Sequence, residues 1–219
     1  MKVIGIMAEV FEEKLANFIP KILQILSKKL KENDPQMHDT LSASIGSLVS
    51  FTVRHLELDA GFKNLQAVFT MLFQLCSKGN RYTQIGSAMC VTKVIQQSPF
   101  EFLYTMVDDI TAKAIEVLRQ HTCKAHIQLF ECLLSLILAF EGNGDKLHES
   151  AKGILPIAID NLTNGDWNVR KIAVELIYTL SMLVPEAIRP YKHELLDVLG
   201  HCRFDKVRNQ CLKFEFLTH

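Results

Sequence analysis

The chain has 219 residues, of which 48% are hydrophobic and 22% charged, enough for a continuous core and unlike a disordered, charge-rich segment. Its 24 lysines and arginines balance 24 acidic residues, so the basic excess usual in nucleic-acid binders is missing and no such partner is expected. Charged or polar residues break every apolar run before the roughly 18 residues of a bilayer span, and the apolar start at 1–7 meets Glu9, Glu12 and Glu13, unlike a secretory signal.

Apolar residues at helical spacing predict an unpaired amphipathic helix over residues 2–15, with Val3, Ile6, Met7, Val10 and Phe11 on one side. Five helix pairs are expected after it, at about 18–56, 61–97, 99–140, 146–184 and 190–217. In the first pair one helix runs from 18 to 31, with Pro20 in its opening turn, and a partner from 37 to 56 follows Asn33-Asp34-Pro35. Ser42, Ala43, Ser44, Gly46 and Ser47 would let that partner lie close against a neighbour. The second pair, 61–77 and 82–97, turns at Gly79-Asn80-Arg81 and directs Ala88, Met89, Val91, Val94 and Ile95 inward.

The third pair, 99–119 and 124–140, turns at His121-Thr122-Cys123 and ends in the connector Glu141-Gly142-Asn143-Gly144-Asp145, whose glycines are helix-stopping signals. In the fourth, 146–162 and 168–184 flank Asn164-Gly165-Asp166-Trp167, and Pro156 is expected to bend the first helix. The fifth opens at Pro190 and turns at Arg203-Phe204-Asp205-Lys206. Phe214, Phe216 and Leu217 leave no polar cap, so the array is expected to be part of a longer protein.

Anchored on Asp34, Asn80, Thr122, Asp166 and Asp205, the turns recur at steps of 46, 42, 44 and 39 residues. A period of about 40–47 residues built from helix pairs is the signature of a HEAT or armadillo array. The expected fold is therefore an all-α HEAT-repeat α-solenoid of antiparallel helix pairs, a class that presents rows of loops to large partners.

Two stretches carry a family likeness. Asp166-Trp167-Asn168-Val169-Arg170-Lys171-Ile172-Ala173 resembles the HEAT pattern of Asp, then Val-Arg, then small apolar residues, and Cys202-Arg203-Phe204-Asp205-Lys206-Val207-Arg208 is a rarer combination. With Leu48 onward and Ser87-Ala88-Met89-Cys90-Val91-Thr92-Lys93-Val94, they resemble the N-terminal repeat domain of the Tortifolia/Spiral family, TOG-like microtubule-associated proteins, from about residue 18 onward. The resemblance implies a non-catalytic module that binds tubulin or microtubules through intra-repeat turns along one edge. It also implies a cytoplasmic, cytoskeletal location, with relatives in the cilium or axoneme. TOG domains carry a tryptophan in the first turn, whereas here Trp167 lies in the fourth.

On such an edge stand Arg81, Tyr82, His121, Lys124, Trp167, Lys171, Arg203 and Lys206. Basic side chains there would meet an acidic tubulin surface in a salt-sensitive way, and Trp167 would be the natural anchor unless its ring covers the adjacent repeat. Asp166 with Arg170, and Asp205 with Arg208, form a structural ladder within and between repeats, each aspartate also being a plausible N-cap. The alternative is a general scaffold holding a protein or helical peptide on its concave face.

The six cysteines, at 76, 90, 123, 132, 202 and 211, sit mostly in apolar helical patterns, which fits a reducing compartment better than a disulfide framework. Cys123, His126 and Cys132 fall short of four converging ligands, so no metal is expected. Asp108-Asp109 reads as a solvated helix face, and no phosphate loop or nucleophile elbow occurs. No catalytic residue or cofactor, and hence no enzyme, is expected.

Overall fold

The computed structural model describes residues 19–202, which contain helices and connecting turns but no strand. Helix α1 (Ile19–Ser27) gives way to a tighter 3-10 turn (Lys29–Lys31), so the expected helix from 18 to 31 is broken near its end. The reason is packing: Leu30 is fully buried and lies so close to Gly86 that a Cβ there would stand 2.7 Å from its Cδ2. Helix α2 (Pro35–His55) then starts at Asp34, whose carboxylate accepts a hydrogen bond from the Met37 amide at 3.0 Å, with Pro35 supplying a first-turn residue that needs no donor partner.

Helices α3 (Leu58–Lys78) and α4 (Arg81–Gln97) form the second pair, α5 (Phe100–Leu118) and α6 (His126–Leu138) the third, α7 (His148–Asp160) and α8 (Trp167–Leu183) the fourth. Short α9 (Pro185–Ile188) and a 3-10 turn (Arg189–Tyr191) lead into α10 (Lys192–Cys202). Helix α3 begins earlier than the glycine at 61 indicated. Gly61 is buried inside it, where a Cβ would meet the Phe102 ring at 3.1 Å and the Val53 carbonyl at 3.2 Å. Its small size answers to packing, not to chain ending. In the connector after α6, by contrast, Gly142 does adopt a φ of 85°, a conformation that favours glycine. Pro156 lies inside α7, which continues past it to Asp160 before a 3-10 turn (Asn161–Thr163). The helix expected at 2–15 and the one expected to begin at Val207 fall outside the described residues.

The pairs stack in two layers. One contains α3, α5 and α7; the other contains α2, α4, α6 and α8, each packed on the next. One continuous core of buried side chains, from Leu30 to Leu195, runs between them. Hydrogen bonds between repeats set the register: Ser50 Oγ donates to the Gln97 carbonyl 47 residues on, and Gln96 Nε2 donates to Ser135 Oγ 39 residues on. In the other layer Ser77 pairs with Gln120 across 43 residues, and Ser150 Oγ donates to Asp108 Oδ1 across 42. These separations match the sequence period, so each helix runs parallel to its counterpart in the next pair. Helices α2 and α4 approach closely at Gly46, where an added Cβ would stand 2.9 Å from the Lys93 carbonyl oxygen.

Gly46→Ala is therefore expected to destabilise the fold by about 1–3 kcal/mol through overpacking, even though alanine favours a helix by up to about 1 kcal/mol. Gly165→Ala, at a position with nothing within 4 Å of the new Cβ, is expected to stay within about 0.5 kcal/mol of wild type. Denaturant unfolding of both variants checks the contrast.

Candidate partner-binding edge

The turn inside each pair, here called an elbow, sits where a first helix ends and a second begins. Because the second helices run parallel, their elbows fall along one rim, and specific bonds hold the two central elbows side by side. Gln84, almost fully buried, donates from Nε2 to the Gly79 carbonyl at 3.2 Å and accepts at Oε1 from the Lys124 amide at 2.7 Å. One side chain thus fastens the second elbow to the third. The Ser77–Gln120 pair, at 2.9 and 3.1 Å, joins them again from the first-helix side.

Caps explain where the second helices begin. Asn80 accepts from the Thr83 amide at 2.9 Å, and Asp166 accepts from the Asn168 amide at 2.9 Å. Thr122 has no such role: the third elbow is longer, Cys123 N–H bonds the Gln120 carbonyl, and α6 opens only at His126. At the fourth elbow Arg170 Nη1 donates to the carbonyls of Asn164 and Gly165 at 2.6 and 3.2 Å, strapping the loop that leads into α8. Both residues of the 166–170 ladder thus shape their own elbow. Asp205 and Arg208, like Arg203 and Lys206, lie outside the described residues.

Arg81, His121, Lys124 and Lys171 are exposed, Tyr82 is half-buried, and Trp167 is 39% exposed at the first position of α8. In every elbow a first-helix C-terminus meets a second-helix N-terminus, so the helix dipoles oppose each other and side chains decide the sign of the rim. The first elbow mixes Lys28, Lys29 and Lys31 with Glu32 and Asp34, and Lys29 pairs with Glu32 at 3.1 Å. The fourth mixes Asp160 and Asp166 with Arg170 and Lys171. Counted from the first helix's last residue to the second helix's first turn, only the two central ones of these four hold no acidic residue: Lys78 and Arg81 in one, Arg119 and Lys124 with His121 in the other. Lys78 and Arg119 were not singled out from sequence, although a basic residue at a first helix's last turn or cap was the available signal. His126, whose pKa is lowered by burial and by Lys124, adds no charge near neutral pH.

Cys76, Cys90, Cys123 and Cys132 are buried free thiols. Burial pushes Cys90 and Cys132 up to about 12 and raises Cys123 as well, which leaves neutral sulfurs packed as small apolar groups. Among the described residues no three His, Cys, Asp or Glu side chains are placed to hold a metal, and no helix there is long and apolar enough to cross a membrane.

The opposite surface of the second-helix layer carries an open groove of about 300 Å³ between α2, α4 and α6. Asp39, Thr92, Glu131 and Leu138 are among its walls. Although solvent reaches Glu131, the groove raises its carboxyl pKa, by burial first and then by repulsion from Glu175 on α8.

Stacked antiparallel helix pairs define the molecule as an α-solenoid repeat protein. Solved structures agree on the fold: an engineered protein superposes with a TM-score of 0.56 at 15% identity, covering 90% of this chain and 81% of that one. A designed armadillo repeat protein, solved with the peptide (KR)4, superposes at 0.54 and 14% identity, covering 96% and 88%. The chain belongs to the TORTIFOLIA1 N-terminal family, whose pattern it matches over residues 1–210. This is a family of repeat proteins and not of enzymes. TORTIFOLIA1-like protein 2 of Arabidopsis thaliana is 26% identical over 95% of this chain, and Microtubule-associated protein TORTIFOLIA1 of the same plant is 24% identical over 90%. The matched regions are 25% and 23% of those proteins, so the chain spans about a quarter of their length.

Gln84→Ala is expected to cost about 1–3 kcal/mol, because it leaves a carbonyl and an amide at two elbows without their partner. Thermal unfolding measures the loss, and amide exchange at Lys124 should quicken. Glu131 gives a pH-dependent counterpart. Its folded pKa is raised, so the folded chain keeps this proton to higher pH and stability falls as pH rises through the window above the ordinary value of about 4.3. Glu131→Gln should therefore stabilise at pH 7, by about 0.5 kcal/mol after solvent screening, with the gain vanishing below pH of about 4. Melting curves at the two pH values test this; an equal gain at both would point to packing instead of charge.

Proposed function

We propose that this repeat array is a non-catalytic microtubule-binding module that grips the filament through its elbow rim, in the manner of TOG-like domains. The observation that carries the reading is the purely basic pair of central elbows, Lys78 with Arg81 and Arg119 with Lys124, fastened side by side by Gln84. Support also comes from membership of a family in which one relative bears the name microtubule-associated protein. A rim of this kind complements an acidic filament surface, where charge speeds encounter and salt weakens it. Trp167, neighbouring the basic stretch, offers flat apolar contact area, and Lys171 extends the positive charge toward α8. Tyr82 and His121 fill in the row, and Arg203 with Lys206 would continue it at the next elbow.

Individually such contacts are weak; their strength comes from summing over repeats that engage neighbouring tubulin subunits. Asp166 and Arg170 contribute by holding the fourth elbow in shape. The corresponding location is the cytoplasmic cytoskeleton.

The test is co-sedimentation with microtubules across a salt series. Arg81→Glu combined with Lys124→Glu is expected to lower affinity more than about tenfold, since two attractive contacts become repulsive, while Tm stays within about 2 °C. Arg203→Glu with Lys206→Glu gives an independent arm at the next elbow. Pelleting that neither pair alters, or that ignores salt, would reject the rim as the contact surface.

A further inference from the structure

The groove on the second-helix layer has a chemistry opposite to that of the rim, and it repeats. On α6, Glu131 is followed seven residues later by Leu138; on α8, Glu175 is followed seven residues later by Met182. Seven residues are two helical turns, about 10 Å along the axis, so the acidic and apolar members of each pair lie on one helix face. The two helices pack together with Glu131 beside Glu175, which places Leu138 in the same row as Met182. Leu138 is 51% exposed and Met182 57%, both large apolar side chains left in water. Two parallel stripes result, one acidic and one apolar, crossing the helices at right angles to their axes.

Toward α2 the groove adds a third carboxylate, Asp39. Lys93 is the basic side chain among its walls, and its Nζ is engaged by Gln96 Oε1 at 3.3 Å. The acidic stripe is unfavourable in itself: the Glu131 carboxyl is raised, by burial first and then by repulsion from Glu175. Two like charges held together beside an open apolar strip are what a cationic, partly apolar segment would relieve.

We propose that this groove, together with the exposed face of α8 beside it, binds an extended basic peptide segment of a partner protein, its lysines or arginines on Glu131 and Glu175 and its apolar side chains on Leu138 and Met182. Adjacent helices in such a layer stand about 8–10 Å apart. An extended chain advances about 7 Å for every two residues and a polyproline-type one about 9 Å for every three. The recognised segment therefore carries basic residues two or three positions apart. It lies across the helices, on a face separate from the elbow rim, and it is distinct from a microtubule surface in both sign and shape.

Fluorescence anisotropy of a labelled eight-residue alternating Lys-Leu peptide, titrated with the full 219-residue chain in low salt, reads the binding. The expected outcome is saturable binding that an alternating Glu-Leu peptide does not show. Glu131→Gln with Glu175→Gln should weaken it about fivefold or more. Glu101→Gln with Glu116→Gln, which changes net charge equally on α5 in the other layer, should leave it within about twofold. Thr92→Lys, which adds a positive charge to the groove wall, should weaken it too and serves as a second probe should the double variant lose its fold. Equal weakening by both double variants would mean unspecific attraction and overturn the proposal, as would an absence of wild-type binding. Microtubule pelleting by the Glu131/Glu175 variant should be unchanged, which keeps this result separable from that of the rim.

Discussion

Register between neighbouring second helices is the constraint on which the rest of this molecule depends. A single helix pair cannot bury its apolar face, so each must lie against the next, and the layer formed by α2, α4, α6 and α8 provides that contact. Close approach at Gly46 and the bond from Ser50 to the Gln97 carbonyl fix α2 against α4. Gln96 with Ser135 then fixes α4 against α6. Because each bond joins residues one repeat apart, the helices share a direction. Shared direction brings the elbows to one rim and the opposite ends of the same helices to the other. A rim and a groove are thus both consequences of one packing rule.

Gln84 shows how local chemistry and this register meet. A buried amide must find partners for both its donor and its acceptor, or it costs stability. Gln84 finds one in its own elbow, at Gly79, and one in the next, at Lys124. The proposed binding surface would thereby be preorganised: basic residues from two elbows are presented together, which would reduce the ordering cost of association.

How far this could be foreseen depends on whether a feature is local. Asp34, Asn80 and Asp166 were legible as turn anchors because each caps its own helix, a bond formed within three residues of the chain. Thr122 marked the third turn without capping it, since the longer loop there is closed by backbone bonds that a side-chain pattern does not reveal. Gly61 was read as the start of the second pair and is a packing notch inside α3, because what demands its size is the Phe102 ring, some forty positions away, and the Val53 carbonyl. The 3-10 turn at Lys29–Lys31 escaped for the same reason: Leu30 turns to reach α4. The repeat period indicated the solenoid and the family likeness an edge of turns, yet Lys78, Arg119 and the Glu131–Glu175 pairing emerge only when repeats are laid side by side.

Net charge was a poor guide to the surface for a related reason. A sum of zero treats all charges as if they could cancel, but at physiological ionic strength a charge is felt over only about 8 Å. On an elongated stack, charges segregate instead: positive at the central elbows, negative along the groove stripe, neutral in total. Each partner meets only the sign that faces it. The opposed dipoles of every helix pair strengthen the point, since the scaffold imposes no polarity of its own on the rim and leaves the choice to a handful of side chains. A fold of this kind can therefore be retuned from one partner to another by surface substitutions alone, while the buried register, which those side chains do not touch, stays as it is.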